Sequence, residues 1–180
     1  MRCFVAVEIS SNEITNLISK FQSEININAK SVEPHNLHFT LQFLGEITQD
    51  TADRVMKSLN SIKFSSFVVN LNGLGVFPKL KSPRIIWIGT DKNGGDLLIE
   101  LAKKVENALT PLGFSVDKPF KPHITVFRIK NQIEDISKKM DKFKSIDFGK
   151  QKITGFKLKH SVLSSKGPAY SDLMEIKAVL

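Results

Sequence analysis

Apolar and polar positions alternate from Arg2 to Ile9, with Cys3, Val5, Val7 and Ile9 on one side, which predicts an opening strand. Ser10-Ser11-Asn12 then supplies helix-capping side chains. Ile14, Leu17, Ile18 and Phe21 follow at helical spacing. A second strand runs from Leu37 to Leu44 and ends at Gly45. Thr48 caps a second helix that buries Val55, Met56, Leu59 and Ile62. A third strand, Phe67 to Leu71, gives way to a loop rich in Gly, Pro and Lys from Asn72 to Pro83. The order then repeats. Arg84 to Gly89 reads as a strand, Asp96 to Leu109 as a helix with Leu97, Leu98, Leu101, Val105 and Leu109 inward, and His123 to Arg128 as a strand. Ile133, Ile136, Met140 and Phe143 mark a further helix, and Ile153 to Ser164 and Tyr170 to Val179 are the last strands.

The doubling carries more information than any one element. His-x-Thr occurs in the second strand of each half, as His38-Phe39-Thr40 and His123-Ile124-Thr125, 85 residues apart in a chain of 180. The expected architecture is α+β in two lobes related by a pseudo-two-fold axis. Each lobe is an antiparallel sheet with two helices on its outer face, and a groove lies between the sheets. The whole chain forms one bilobal domain, with repeats of about 1–83 and 84–180.

Side chains on a strand alternate between faces. Leu37, Phe39, Leu41 and Phe43 therefore share an apolar face, while His38, Thr40 and Gln42 share the other. In the second motif Ile124 and Val126 point to the core. His123, Thr125 and Phe127 point away, the last as a ring that could stack on a base or fill space. Brought together, the two rows surround a small anion with two imidazoles and two hydroxyls. This suits in-line displacement at phosphorus, which needs one proton removed from the attacking group and another delivered to the leaving oxygen. An imidazole pKa of about 6.5 lets one ring be neutral and one charged near neutral pH, and the hydroxyls can donate to non-bridging oxygens. A single tripeptide of this kind is weak evidence; two at equivalent positions are not. A zinc site is the competing reading of the imidazoles, but no carboxylate or thiolate stands at ligand spacing beside either, so no metal is expected.

Composition narrows the partners. With 26 Lys and Arg against 18 Asp and Glu, the chain carries a formal charge of +8 and favours polyanions, nucleic acid first. The lone Cys3 precludes an internal disulfide and suits a reducing cytoplasm. Glu8 interrupts the first apolar run too early for a signal peptide, and no stretch is long enough to span a bilayer.

Several spaced segments together resemble the bacterial and archaeal RNA 2′,3′-cyclic phosphodiesterases, formerly called 2′–5′ RNA ligases, of the two-histidine phosphoesterase superfamily. They are Arg2 to Ala6, Asn36 to Gly45 around the first His-x-Thr, Gly75-Val76-Phe77-Pro78 with Pro83 to Trp87, Phe120 to Arg128 around the second, and Ser161-Val162-Leu163 with Gly167-Pro168-Ala169-Tyr170. The resemblance implies hydrolysis of an RNA-terminal 2′,3′-cyclic phosphate to a 2′-phosphate without metal or cofactor. His38 would be the proton donor, His123 the proton acceptor, and Thr40 and Thr125 the phosphate ligands. Joining the cyclic phosphate to a 5′-hydroxyl is the same chemistry with a ribose hydroxyl in place of water. The resemblance also puts an arginine, Arg128, near the phosphate. Strict alternation sends Arg128 to the wrong face, so either the strand ends or bulges after Val126, or Arg128 forms a buried ion pair. Phe4 is placed either on the groove or in the core, Trp87 in the core, His35 on the surface, and His160 in packing. The expected partner is an RNA end, met by a cytoplasmic monomer with no obligate protein partner. The competing functions are a non-catalytic RNA-end-binding module and a relative acting on ADP-ribose cyclic phosphate or 2′–5′ oligoadenylate.

Overall fold

The structure, a computed structural model describing residues 1–179, is α+β, with four helices and a curled antiparallel sheet. The elements in chain order are β1 (Arg2–Glu8), α1 (Asn12–Glu24), β2 (Lys30–Ser31), β3 (His38–Glu46), α2 (Gln49–Leu59), β4 (Phe67–Phe77), β5 (Ile85–Thr90), α3 (Lys92–Leu109), β6 (Ile124–Arg128), α4 (Ser137–Asp141), β7 (Asp147–Ile153), β8 (Gly155–Ser164) and β9 (Gly167–Lys177). The strands form one path, β7-β4-β5-β6-β3-β1-β8-β9, with β2 added to β6. The halves of this path meet only where Phe39 of β3 pairs with Ile124 of β6. Beyond that single pair the two motif strands diverge, and a groove opens between them. The helices cover the opposite face, α1 against β7 and α3 against β4 and β3. The core between sheet and helices holds Phe21, Phe39, Phe148 and Phe156. Among the described residues no helix is long and apolar enough to cross a membrane.

The halves of the sheet are not the halves of the sequence. Strand β4 lies before residue 84 yet pairs with β5 and β7, while β8 and β9 return from the C-terminal segment to complete the sheet beside β1. The repeat boundary expected near residue 83 thus divides the chain but not the lobes. Strand β7 precedes the run expected to begin at Ile153 and has no counterpart in the expected elements; its Phe148, Gln151 and Ile153 are buried at irregular spacing.

Caps set the helix starts. The hydroxyl of Ser11 accepts from the Ile14 amide at 3.4 Å, and that of Thr48 from the Thr51 amide at 3.2 Å. The third helix begins a turn earlier than Asp96 because the Asp91 carboxylate accepts from the amides of Gly94, at 3.0 Å, and Asn70. Gly94 looks like a breaker but is a contact: a Cβ there would stand 2.9 Å from the Val69 Cα, so only glycine lets this helix end rest on β4. The segment expected as a loop after Leu71 is in fact strand up to Phe77. Gly73, at φ 75°, accommodates a register shift against β5, and Gly75 leaves the space that the Trp87 indole fills. The last helix is shorter than its apolar spacing predicts.

Two bulges overturn the face assignments near the motifs. In the β1–β3 ladder Ala6 pairs with Thr40 but Val5 with Gln42, so the register slips at Leu41. Gln42 consequently turns inward and is 4% exposed, while Phe43, expected in the core, is 71% exposed. Neither amide atom of Gln42 has a hydrogen-bond partner among the described residues. In the β5–β6 ladder Trp87 pairs with Thr125 but Ile86 with Phe127, which leaves Val126 as the extra residue. Phe127 is therefore buried, 2% exposed against Phe21, and is not a groove residue as expected. The same bulge returns Arg128 to the groove face, where it forms no ion pair among the described residues.

Candidate active site

A groove of about 700 Å3 lies over the junction of β3 and β6, and His38, Thr40, His123, Thr125 and Arg128 all line it. The antiparallel pairing of Phe39 with Ile124 dictates the arrangement. If its register is continued, His38 lies across from Thr125 and His123 across from Thr40. The two motifs are thus related by a pseudo-dyad through this pair, and both imidazoles and both hydroxyls line the groove.

Each imidazole is tied back in the same way. His38 Nδ1 donates to the Asn36 carbonyl at 2.7 Å, and His123 Nδ1 to the Lys121 carbonyl at 2.6 Å. A carbonyl can only accept, so the neutral ring carries its proton on Nδ1 and leaves Nε2 as a base. At His38 that Nε2 accepts from the Thr40 hydroxyl at 2.9 Å. Aromatic rings brace both imidazoles. Phe4 stands 5.1 Å and Tyr170 5.5 Å from His38, centroid to centroid, and Phe77 stands 5.3 Å and Trp87 6.0 Å from His123. Lys121 covers the outer side of this second pair, with Nζ 4.7 Å from the Trp87 ring.

Burial lowers the pKa of both histidines. For His38 the loss of solvent outweighs the bond to Asn36, the positive charges of Lys159 and Arg128 add to it, Glu8 opposes them, and the value falls to about 4. His123 is lowered by burial and by Lys121 and Arg128, against its bond to the Lys121 carbonyl. Both rings are thus neutral at neutral pH. Beside His38, the same concave surface carries a four-member ion network. Lys157 and Lys159 each bridge Glu8 and Asp172, and Lys159 is 4% exposed. Burial alone would raise the carboxyls of Glu8 and Asp172, but the bonds from the two lysines outweigh it and hold both low.

Of the other expected site residues, Phe4 is buried in the wall beneath His38 and bridges it to Phe43 and Tyr170. His35 is exposed at the groove's rim, and His160 takes no part in the lining. Trp87, expected in the core, is only partly buried and forms the seat of His123. Sequence reasoning missed Tyr170, Phe77, Phe43 and the cationic edge of Lys30 and Lys130. Tyr170 had a signal, since it is the only tyrosine in the chain and follows Gly167-Pro168-Ala169. Phe43 had none, because its exposure depends on a bulge. Among the described residues no group of three or more His, Cys, Asp or Glu could hold a metal ion.

The chain is similar to known proteins over nearly its whole length. The model of the AKAP7 2′5′ RNA ligase-like domain matches residues 2–177. A protein of Archaeoglobus fulgidus named RNA 2′,3′-cyclic phosphodiesterase is 41% identical over 175 residues, covering 96% of this chain and 98% of that protein. One of the same name from Aquifex aeolicus is 37% identical, covering 97% and 96%. Among solved structures, LigT of Escherichia coli complexed with 3′-AMP superposes with a TM-score of 0.80 at 24% identity, over 99% of this chain and 98% of that one.

Proposed function

The chain belongs to the 2′5′ RNA ligase-like family, and from that premise we propose that it hydrolyses RNA 2′,3′-cyclic phosphate ends to 2′-phosphate ends with His38 and His123 as its acid–base pair. The observation that carries the reading is the matched pair of imidazoles in one groove, each with Nδ1 tied to a carbonyl and a threonine two residues on. His123 Nε2 takes a proton from water as its oxygen attacks phosphorus. The bond from phosphorus to the 3′-oxygen breaks on the opposite side, and His38 Nε2 delivers the proton that this oxygen needs. Thr40, Thr125 and Arg128 hold the non-bridging oxygens as negative charge gathers on them. Because burial keeps His38 neutral, the substrate's own negative charge must recruit its proton by favouring the imidazolium. Replacing water with a 5′-hydroxyl turns the same steps into 2′–5′ joining.

Every group in this scheme comes from one chain, which supports action as a monomer. The buried, unpaired Cys3 fits a reducing cytoplasm. The test is to incubate the protein and EDTA with a short RNA ending in a 2′,3′-cyclic phosphate and identify the phosphomonoester. A 2′-phosphate is expected. A 3′-phosphate would reverse the assignment of the leaving oxygen, and activity only on adding metal would overturn the mechanism.

A further inference from the structure

We infer that Phe43 is the platform on which the terminal base of the substrate stacks. The inference rests on the function proposed above and extends it to recognition of the nucleoside itself.

The argument begins with an inversion of hydrophobic order. At the Leu41 bulge the chain buries the amide of Gln42 with no partner among the described residues and turns the phenyl ring of Phe43 out to 71% exposure. A strand of even register would do the opposite, and folding energy alone favours that opposite. A local arrangement that runs against packing, kept beside a site, points to a use for the displaced group. Scattered exposed apolar residues are ordinary on a protein surface, but Phe43 lines the same groove as His38 and His123, and Leu163, 74% exposed, borders it from the β8–β9 hairpin.

The placement also fits a nucleoside. The Phe43 ring lies 6.2 Å from Phe4, and Phe4 lies 5.1 Å from the His38 imidazole. A base on Phe43 is thus one ring removed from the group that serves the 3′-oxygen of the same nucleotide. Stacking on a phenyl face accepts any base, since each has a π-surface, and it favours purines by area. Lys30 and Lys130, from β2 and just beyond β6, line the groove at the Arg128 end of β6, where the phosphodiester leading away from the terminal nucleotide would run. The substrate is therefore the end of an oligonucleotide whose terminal base is held by its face.

A four-way comparison tests this. Two oligonucleotides of identical sequence are made, both with a 2′,3′-cyclic phosphate, one ending in adenosine and the other in an abasic ribose. Each is given to the wild-type chain and to Phe43→Ala. The adenosine end should lose roughly 5- to 150-fold in kcat/KM on substitution, mostly through KM, as expected for one stacked base. The abasic end should be hydrolysed at the same reduced rate by both proteins. Phe43→Trp should restore the adenosine end, and because residue 43 is exposed, both variants should melt with the wild type. Equal losses on the two ends, or no loss on either, would overturn the inference while leaving the phosphodiesterase reading intact. Failure of the wild-type chain to hydrolyse either end would instead overturn that reading, and this inference with it.

Discussion

His38 and His123 stand at matching places on β3 and β6, each with Nδ1 fixed by the carbonyl two residues before it, yet their surroundings differ. His38 sits deeper, between Phe4 and Tyr170, with the Glu8–Lys159 network behind it and the Thr40 hydroxyl on its Nε2. His123 rests against Phe77 and Trp87, and its Nε2 has no partner among the described residues. The duplicated motif sets the same tautomer twice, which both imidazoles need to present Nε2. The unequal walls lower the two proton affinities by different routes, His38 to about 4 with Lys159 and Arg128 adding to burial, and His123 with Lys121 and Arg128 adding to it. Symmetry places the pair, and departures from symmetry set the two rings apart.

The largest test of this comparison is removal of either ring. His38→Ala and His123→Ala should each cost about 10²- to 10⁴-fold in kcat for cyclic phosphate opening. The double variant should fall well short of the product of the two losses, because the pair acts as a unit. RNA binding should change little by comparison. A loss of binding without a specific loss of turnover would favour the non-catalytic reading over the enzyme.

The pairing of these rings was legible in the chain, and their unequal settings were not. His-x-Thr at a spacing near half the chain length announces the duplication, and alternation puts both histidines and both threonines on the groove side, where they are found. Alternation fails one or two residues further on. At Leu41 and at Val126 an extra residue enters a strand, and this moves Phe43 and Arg128 to the groove and Gln42 and Phe127 to the core. A bulge is decided by what the neighbouring strand requires, so a period-two reading of one strand cannot detect it. The swap of β4 with β8 and β9 between lobes is hidden for the same reason, since pairing partners far apart in sequence leave no local trace.

The next largest effect concerns acid stability. In the folded chain His38 protonates only near pH 4, whereas the unfolded chain takes up that proton near 6.5. The depressed value means that His38's contribution is fully present above 6.5 and is lost as pH falls towards 4. The loss is about 3 kcal/mol in all, because protons then favour the unfolded state. Denaturant melts at pH 7 and pH 4 should show that difference in the wild type and a smaller one in His38→Gln. His123→Gln should reduce it less. Equal behaviour of the two variants would show that the walls do not distinguish the rings.

The smallest effect is also the sharpest probe of the asymmetry. Thr40 already spends its hydroxyl on His38, at 2.9 Å, while Thr125 makes no side-chain hydrogen bond among the described residues. When phosphate arrives, Thr40 exchanges one acceptor for another, whereas Thr125 gains a bond to a charged oxygen outright. Thr125→Val should therefore cost roughly 10-fold or more in kcat/KM, the value of a hydrogen bond to a charged group, and leave His38 as it was. Thr40→Val should cost only a few-fold at neutral pH, in keeping with a net exchange between partners. It removes a donor that holds His38 neutral, so the pKa of His38 should rise. NMR titration of the imidazole in the empty groove reads this directly: the His38 midpoint should climb in Thr40→Val and stay fixed in Thr125→Val. If both substitutions move kcat/KM alike and neither moves the midpoint, the bond between Thr40 and His38 has no part in setting the two rings apart, and the difference must come from their aromatic and charged walls alone.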